Sequence, residues 1–223
     1  MVLITIEHSL YIPDHFISVI NYVTIDEKNE IGDQRKAELL NDSIAIVGVS
    51  FKLPNGINDF QKLYDVQRSK TSTTSRVPID RFDVDTLDTA KYMLDHTRYP
   101  AIQWGNFIDD ITMFDNEFFG LNTEEVKYMD PNQRLILETV VSACYDSGMD
   151  IKNFAGDEVN DNQITGMYVG MSNSDFENVD GCGFKDGYSV YAATGSAPSV
   201  VAGRVSYLLG FRGPCMVTDT AAL

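Results

Sequence analysis

Three short apolar runs stand out along a chain that is otherwise patterned for helices. Ile44-Ala45-Ile46-Val47-Gly48-Val49 is continuous and ends near glycine, the pattern of a strand buried on both faces. Thr165-Gly166-Met167-Tyr168-Val169-Gly170-Met171 is a second such run, and Cys215 to Thr218 is a third. Helical spacing fills the intervals. Asn58 caps a segment that places Phe60, Leu63 and Tyr64 on one face. Asn122 followed by Glu125 has the form of a capping box opening a short helix. The clearest helix runs from Asp130 to Ser147. Asp130 is its N-cap, and Pro131 sits at the first helical position, where a missing N–H costs nothing. Leu135, Ile136, Val140, Ala143 and Cys144 form its apolar stripe, and Gly148 ends it. Another helix starts near Ser196 with Pro198 in its first turn. It carries Val200, Val201, Val205, Leu208 and Leu209 and stops at Gly210. Buried strands separated by helices predict an α/β layered domain.

Residues 1–41 differ from the rest. They close in a charged run, Asp26-Glu27-Lys28-Asn29-Glu30, and then Gly32-Asp33-Gln34-Arg35-Lys36. That composition reads as a solvated turn and short helix, so 1–41 is expected to be an N-terminal extension or linker and 42–223 the globular domain. No internal repeat or low-complexity segment is visible.

Composition narrows the function classes. The 223 residues are 43% hydrophobic and 11% aromatic, as in a globular protein. Seventeen Lys and Arg face 33 Asp and Glu, a net charge of −16. That balance argues against nucleic-acid binding, which needs cationic side chains to displace counterions from phosphates. The acidic residues are spread along the chain, which reads as a solvated surface. Cys144, Cys182 and Cys215 are too few and too far apart for a disulfide framework or a zinc site, and point to a reducing compartment such as the cytoplasm. No apolar run reaches the length of a membrane span. The first residues lack the basic start of a secretory signal, and His8 and Asp14 interrupt the apolar run.

Several local patterns carry no chemistry once weighed. Gly181-Cys182-Gly183-Phe184-Lys185-Asp186-Gly187 imitates a dinucleotide loop, but polar, turn-like residues precede it where a strand is required. A surface loop is expected there. His8, His15 and His96 have no metal-ligand spacing. The series Asp80, Asp83, Asp85, Asp88 lacks the glycine and closing glutamate of a calcium loop. Cys215, in a strand, has neither a helix N-terminus nor a cation to activate it, so it is expected in the core, as is Cys144.

Larger blocks do carry chemistry. IAIVGVSFKLPNG (44–56), RVPIDRFD (76–83), the long block from Asn106 to Gly148 with FD-x-x-FFG and MDP-x-QR, TGMYVG (165–170), and ATGSAPSVVAGRVSYLLGFRGP (193–214) follow in order. They lead to Asp219-Thr220-Ala221. Together they resemble the N-terminal half of a β-ketoacyl synthase of polyketide synthase or fatty acid synthase type. SFKLP stands where that family has a Cys-Arg-Phe-Pro type of loop, and Phe60 where tryptophan is frequent.

The resemblance implies the N-terminal half of a thiolase-like, αβαβα layered fold, incomplete here. It implies an acyltransferase reaction, a decarboxylative Claisen condensation of acyl and malonyl thioesters in polyketide or fatty acid biosynthesis. A cysteine after Asp-Thr-Ala takes the acyl group from phosphopantetheine on an acyl carrier protein, and two histidines of the second half assist decarboxylation. Dimers are implied too, with no directly bound cofactor and no metal. In this chain Ala222 stands at the expected nucleophile position, after Asp219, Thr220 and Ala221. The domain is therefore expected to be truncated at the nucleophile, with no catalytic residue and no activity of its own. The alternative is a non-catalytic, degenerate ketosynthase scaffold that binds a carrier protein or a partner subunit.

Overall fold

The computed structural model describes residues 2–6, 45–87, 98–149, 151, 165–172, 174–176, 179 and 189–219. The first strand, β1 (Val2–Ile6), pairs antiparallel with β2 (Ala45–Ser50), from Val2 opposite Ser50 to Ile6 opposite Ala45. The strand expected from Ile44 is present, but not buried on both faces, since Ile46 is 59% exposed. The reason is the partner. Among the described residues β2 lies in a two-stranded ribbon packed against the helix Pro131–Asp146, and the Val49 N–H there donates to Asp146 at 2.9 Å.

Helix α1 (Phe60–Ser69) starts one residue later than its pattern suggests. Asp59 is the N-cap, accepting from the Lys62 N–H at 2.7 Å, while Asn58 accepts from the Lys62 ammonium at 2.9 Å. Its predicted apolar face is a surface face. Phe60 and Tyr64 are exposed, and Phe60 only meets the buried Phe51 edge-on at 5.1 Å. A short antiparallel pair, β3 (Ser75–Arg76) with β4 (Trp104–Gly105), and helix α2 (Arg98–Ile102) follow. Asp80, Asp83 and Asp85 of the acidic series lie on this stretch. Asp83 caps the 3₁₀ turn Val84–Thr86, and Asp85 pairs with Arg76 at 2.5 Å.

The core is built by the later elements. Helix α3 (Thr123–Lys127) opens with the forward half of a capping box, Asn122 accepting from the Glu125 N–H at 2.7 Å, while the Glu125 carboxylate pairs with Arg204. Helix α4 (Pro131–Asp146) has Asp130 as N-cap and Ser147 as C-cap, with Gly148 next. Its buried side is Gln133, Leu137, Val140, Val141, Ala143 and Cys144 together with Thr139, whereas Leu135 and Ile136 are only partly covered. Helix α5 (Val190–Ser196) leads through Ala197 into α6 (Pro198–Leu209), so Ser196 ends one helix and Pro198 begins the next. Gly210 closes α6 at φ 72°, a left-handed conformation that costs glycine least.

Strands β5 (Met167–Gly170) and β6 (Cys215–Thr218) pair in parallel, Met167 beside Cys215 and Gly170 beside Thr218. Among the described residues they do not hydrogen-bond to β1–β2. Helix α6 packs on both strands and on α4. Met129, Leu137, Val140, Val201, Ala202, Val205 and Leu209 meet there with Met167 and Val169. Burial in β5 alternates, with Met167 and Val169 buried and Tyr168 65% exposed. Cys215, expected in the core, is exposed at the head of β6, and Met216 beside it is half exposed. Among the described residues helix α6 covers one face of this pair, and period-two alternation sends Tyr168 and its neighbour Met216 to the other; Cys215 is in register with the buried Met167 and is exposed at the start of its strand.

Candidate functional site

Two helices and a strand end converge on Asp130. Its side chain is 1% exposed. One carboxylate oxygen accepts from the Asn132 N–H at 2.7 Å, capping α4, and the other accepts from the Ser174 hydroxyl. Its backbone N–H donates to the Gly195 carbonyl at 2.9 Å. The Gln133 amide donates to the carbonyls of Thr194 at 3.0 Å and Gly195 at 2.8 Å. Two orphan carbonyls at the end of α5 are thereby satisfied from α4. Gly195 is required at this junction, because a Cβ there would lie 1.9 Å from the Tyr128 carbonyl oxygen.

Arg204 extends the network from α6. Its Nε donates to Gln133 Oε1 at 2.9 Å, and its Nη1 pairs with Glu125 of α3. The Arg204 side chain is 8% and the Glu125 side chain 20% exposed, so this is a part-buried ion pair, with a hydrogen bond to Gln133 as well. Helices α3, α4, α5 and α6 are tied together by the side chains of Glu125, Gln133 and Arg204 and by the Asp130 N–H. Sequence reasoning missed this network, although a signal existed. Val201, Arg204, Val205 and Leu208 are spaced i, i+3, i+4, i+7, which sets a cation inside the apolar face of α6. Gln133, Leu137, Val140 and Cys144 likewise set an amide inside the apolar face of α4.

Through Ser174 the network reaches the segment that leaves the carboxyl end of β5. The segment before β6 is held by the Gly213 N–H on Thr165 O at 2.8 Å and the Met167 N–H on Pro214 O at 2.8 Å. The Met171 N–H donates to Thr218 O at 3.1 Å, so the pair stays zipped past its last residues. Asp219 is exposed at the exit of β6. Thr220, Ala221 and Ala222, the rest of the expected nucleophile segment, lie outside the described residues. So do Cys182, the glycine-rich loop 181–187, Asp88, His8, His15 and His96.

Cys144 is no activated nucleophile. Burial in the α4 core pushes its thiol up from the ordinary value of 9.0 to about 11. Among the described residues no group of three or more His, Cys, Asp or Glu is placed to hold a metal ion, and no helix is long and apolar enough to cross a membrane.

A parallel strand pair under packed helices is an α/β arrangement, and in the sequence its second strand is followed by Asp-Thr-Ala. A family model described as the N-terminal domain of beta-ketoacyl synthase matches residues 41–222, and the chain belongs to that family. It is 38% identical over 186 residues to the lovastatin nonaketide synthase mokA of Monascus pilosus, a match over 81% of this chain and 6% of that protein. It is 37% identical over 190 residues to the erythronolide synthase EryA2 of Saccharopolyspora erythraea, over 84% of this chain and 5% of that one. Among solved structures it resembles the oxazolomycin ketosynthase domain OzmH KS7 of Streptomyces albus JA3453, with TM-score 0.59 and 26% identity over 78% of this chain and 28% of that one. The ketosynthase from module 6 of the bacillaene synthase of Bacillus subtilis 168 gives TM-score 0.59 and 25% identity over 80% and 26%. The chain thus spans a small part of its polyketide synthase relatives and about a quarter of the ketosynthase chains it superposes on.

Proposed function

We propose that this domain descends from ketosynthases that join acyl and malonyl thioesters by decarboxylative Claisen condensation, and that it forms no acyl-enzyme itself. The observation that carries the proposal is the residue after Asp219-Thr220-Ala221, which is Ala222. Condensation starts when a thiolate attacks a carrier-bound thioester and expels the carrier thiol. The acyl-enzyme is then attacked by the carbanion left when malonyl loses carbon dioxide. A thiol at the start of a helix gains thiolate character from the helix dipole, and backbone N–H groups there stabilise the oxyanion. An alanine methyl group has no proton to lose and no electron pair to donate, so the first step has no nucleophile at this position.

The substrate class is acyl groups carried on phosphopantetheine of an acyl carrier protein, and dimerisation follows from the same family membership. Residues 42–223 form the ketosynthase part and residues 1–41 an N-terminal extension whose strand β1 pairs along β2, a division supported by the family match, which begins at residue 41. Ala222 also favours a second reading, a scaffold that binds a carrier protein or partner subunit without catalysis.

The test is intact-mass and peptide mass spectrometry after incubation with a short acyl thioester, using the Cys215→Ser variant so that exchange onto the exposed thiol does not intervene. No adduct is expected within residues 219–223. An acyl group mapped to that segment would overturn the proposal. Translating the genomic region beyond Leu223 separates the two readings. A cysteine-serine stretch and two histidine motifs there mark a piece of a condensing enzyme, and their absence marks a scaffold.

A further inference from the structure

Strand β1 lies outside residues 41–222, which match the family, yet it pairs along the whole of β2, a strand inside that match. Family membership accounts for β2 and leaves β1 unexplained. Val2 opposes Ser50, Leu3 opposes Val49 and Ile4 opposes Gly48. Thr5 then opposes Ile46, so Val47 is the extra residue of a bulge. Antiparallel pairs alternate between those that exchange backbone hydrogen bonds and those that do not. The Val49 N–H donates to Asp146 Oδ2 at 2.9 Å, which makes Leu3 and Val49 a non-bonded pair and Ile4 and Gly48 a bonded one. Each edge of β2 thus has an occupant, Asp146 on one side and β1 on the other. Among the described residues β1 is the only strand bonded to β2. Helix α4 packs on both strands, and so closely on β2 that a Cβ at Gly48 would lie 2.3 Å from the Ala143 carbonyl oxygen.

The edge under β1 has no protection of its own. Ala45–Ser50 carries neither charge nor proline, the usual devices that keep a strand edge from pairing with another molecule. β1 brings a new outer edge, but a blunt one, five residues long with its register broken at the bulge. We propose that β1 is an edge guard held in cis, and that the site it covers is a self-association site for a second copy of this chain. Symmetry makes the second copy the fitting occupant. β2 takes its strand partner antiparallel, and two identical strands meet antiparallel about a two-fold axis, each offering the other the same bare ladder. The proposal rests on strand pairing and is independent of the condensing lineage.

The test places proline in β1 of the full chain. Proline has no N–H to donate. Ile4→Pro removes a donor from the bonded pair, whereas Leu3→Pro removes one that points away from β2 and serves as the control. In dilute solution, amide exchange at Gly48 is expected to speed by about tenfold or more in Ile4→Pro. The Val49 amide, held by Asp146, keeps its wild-type rate in both variants, and Gly48 keeps its protection in Leu3→Pro. An unchanged Gly48 rate in Ile4→Pro would overturn the guard, as would equal acceleration in the two variants. Acceleration at Val49 as well would make β1 a support of the fold and not a guard, and would also overturn it.

Sedimentation at rising concentration reads the second half of the proposal. Ile4→Pro is expected to take one association step beyond wild type, about doubling its mass, while Leu3→Pro follows wild type. A synthetic peptide of residues 1–7, MVLITIE, is expected to reverse that step by occupying the edge. The same peptide carrying Ile4→Pro is expected to leave the step in place. No additional association in Ile4→Pro would overturn the second copy as occupant. So would association that the peptide does not reverse, which would assign the contact to another surface, such as the open face of β5–β6.

Discussion

Two cysteines show what a single residue can report. Cys144 is 1% exposed in the core between α4 and α6, and burial moves its thiol from 9.0 to about 11. Below about pH 9 the folded and unfolded chains both keep this proton, and pH has no leverage through it. Between pH 9.0 and about 11 the unfolded chain loses a proton that the folded chain retains. The unfolded state then binds fewer protons, so stability falls as pH rises through that window. Urea midpoints measured from pH 8 to 11 (roughly the range in which free thiols and this one titrate) are expected to decline more steeply for wild type than for Cys144→Ala. Parallel slopes would contradict the assignment. Cys215 is exposed and predicts the opposite behaviour towards alkylating reagents: it reacts in the folded chain, and Cys144 only after denaturant is added.

Among elements, the four-helix junction matters more than any surface pair. Arg204 is 8% exposed and bridges α6 to α3 and α4. Removing it leaves Glu125, 20% exposed, as a part-buried carboxylate without its cation and frees one lone pair of Gln133. Arg204→Ala is expected to cost about 3–5 kcal/mol in urea unfolding. The comparison is Arg76, which joins β3 to Asp85 with 49% and 62% of the two side chains exposed. Arg76→Ala is expected to cost less than about 1 kcal/mol, because solvent screens the pair. Equal losses for the two variants would show that burial does not govern these ion pairs. The apolar spacing of α4 and α6 makes both helices legible, and their ends at Asp130, Pro131 and Gly210 are legible too because capping is local chemistry. Helix α1 departs from its pattern on one point. Amphipathic spacing reports a face, but not whether anything covers it, and here Phe60 and Tyr64 meet solvent.

At the scale of the whole molecule, apolar surface is the outstanding feature. Ile46, Tyr168, Val190, Tyr207 and Met216 are each more than half exposed. Scattered apolar residues are ordinary on a surface, but the open face of β5–β6 and the outer side of β2 are sheet faces, which ordinarily pack against another layer. The isolated 223-residue chain is expected to bind a hydrophobic dye at neutral pH and to unfold over a broad range on heating. A sharp, cooperative melt of a purified monomer without dye binding would contradict this. By itself, the sequence determined the family, the order of elements and the alanine after Asp219-Thr220-Ala221, because those follow from residue identity and local spacing. Only the tertiary structure decided which faces are covered, that Cys215 is exposed, and that Glu125, Asp130, Gln133, Ser174 and Arg204 form one network. Burial and long-range hydrogen bonds depend on what packs opposite a residue, and periodicity along the chain carries no record of the opposing partner.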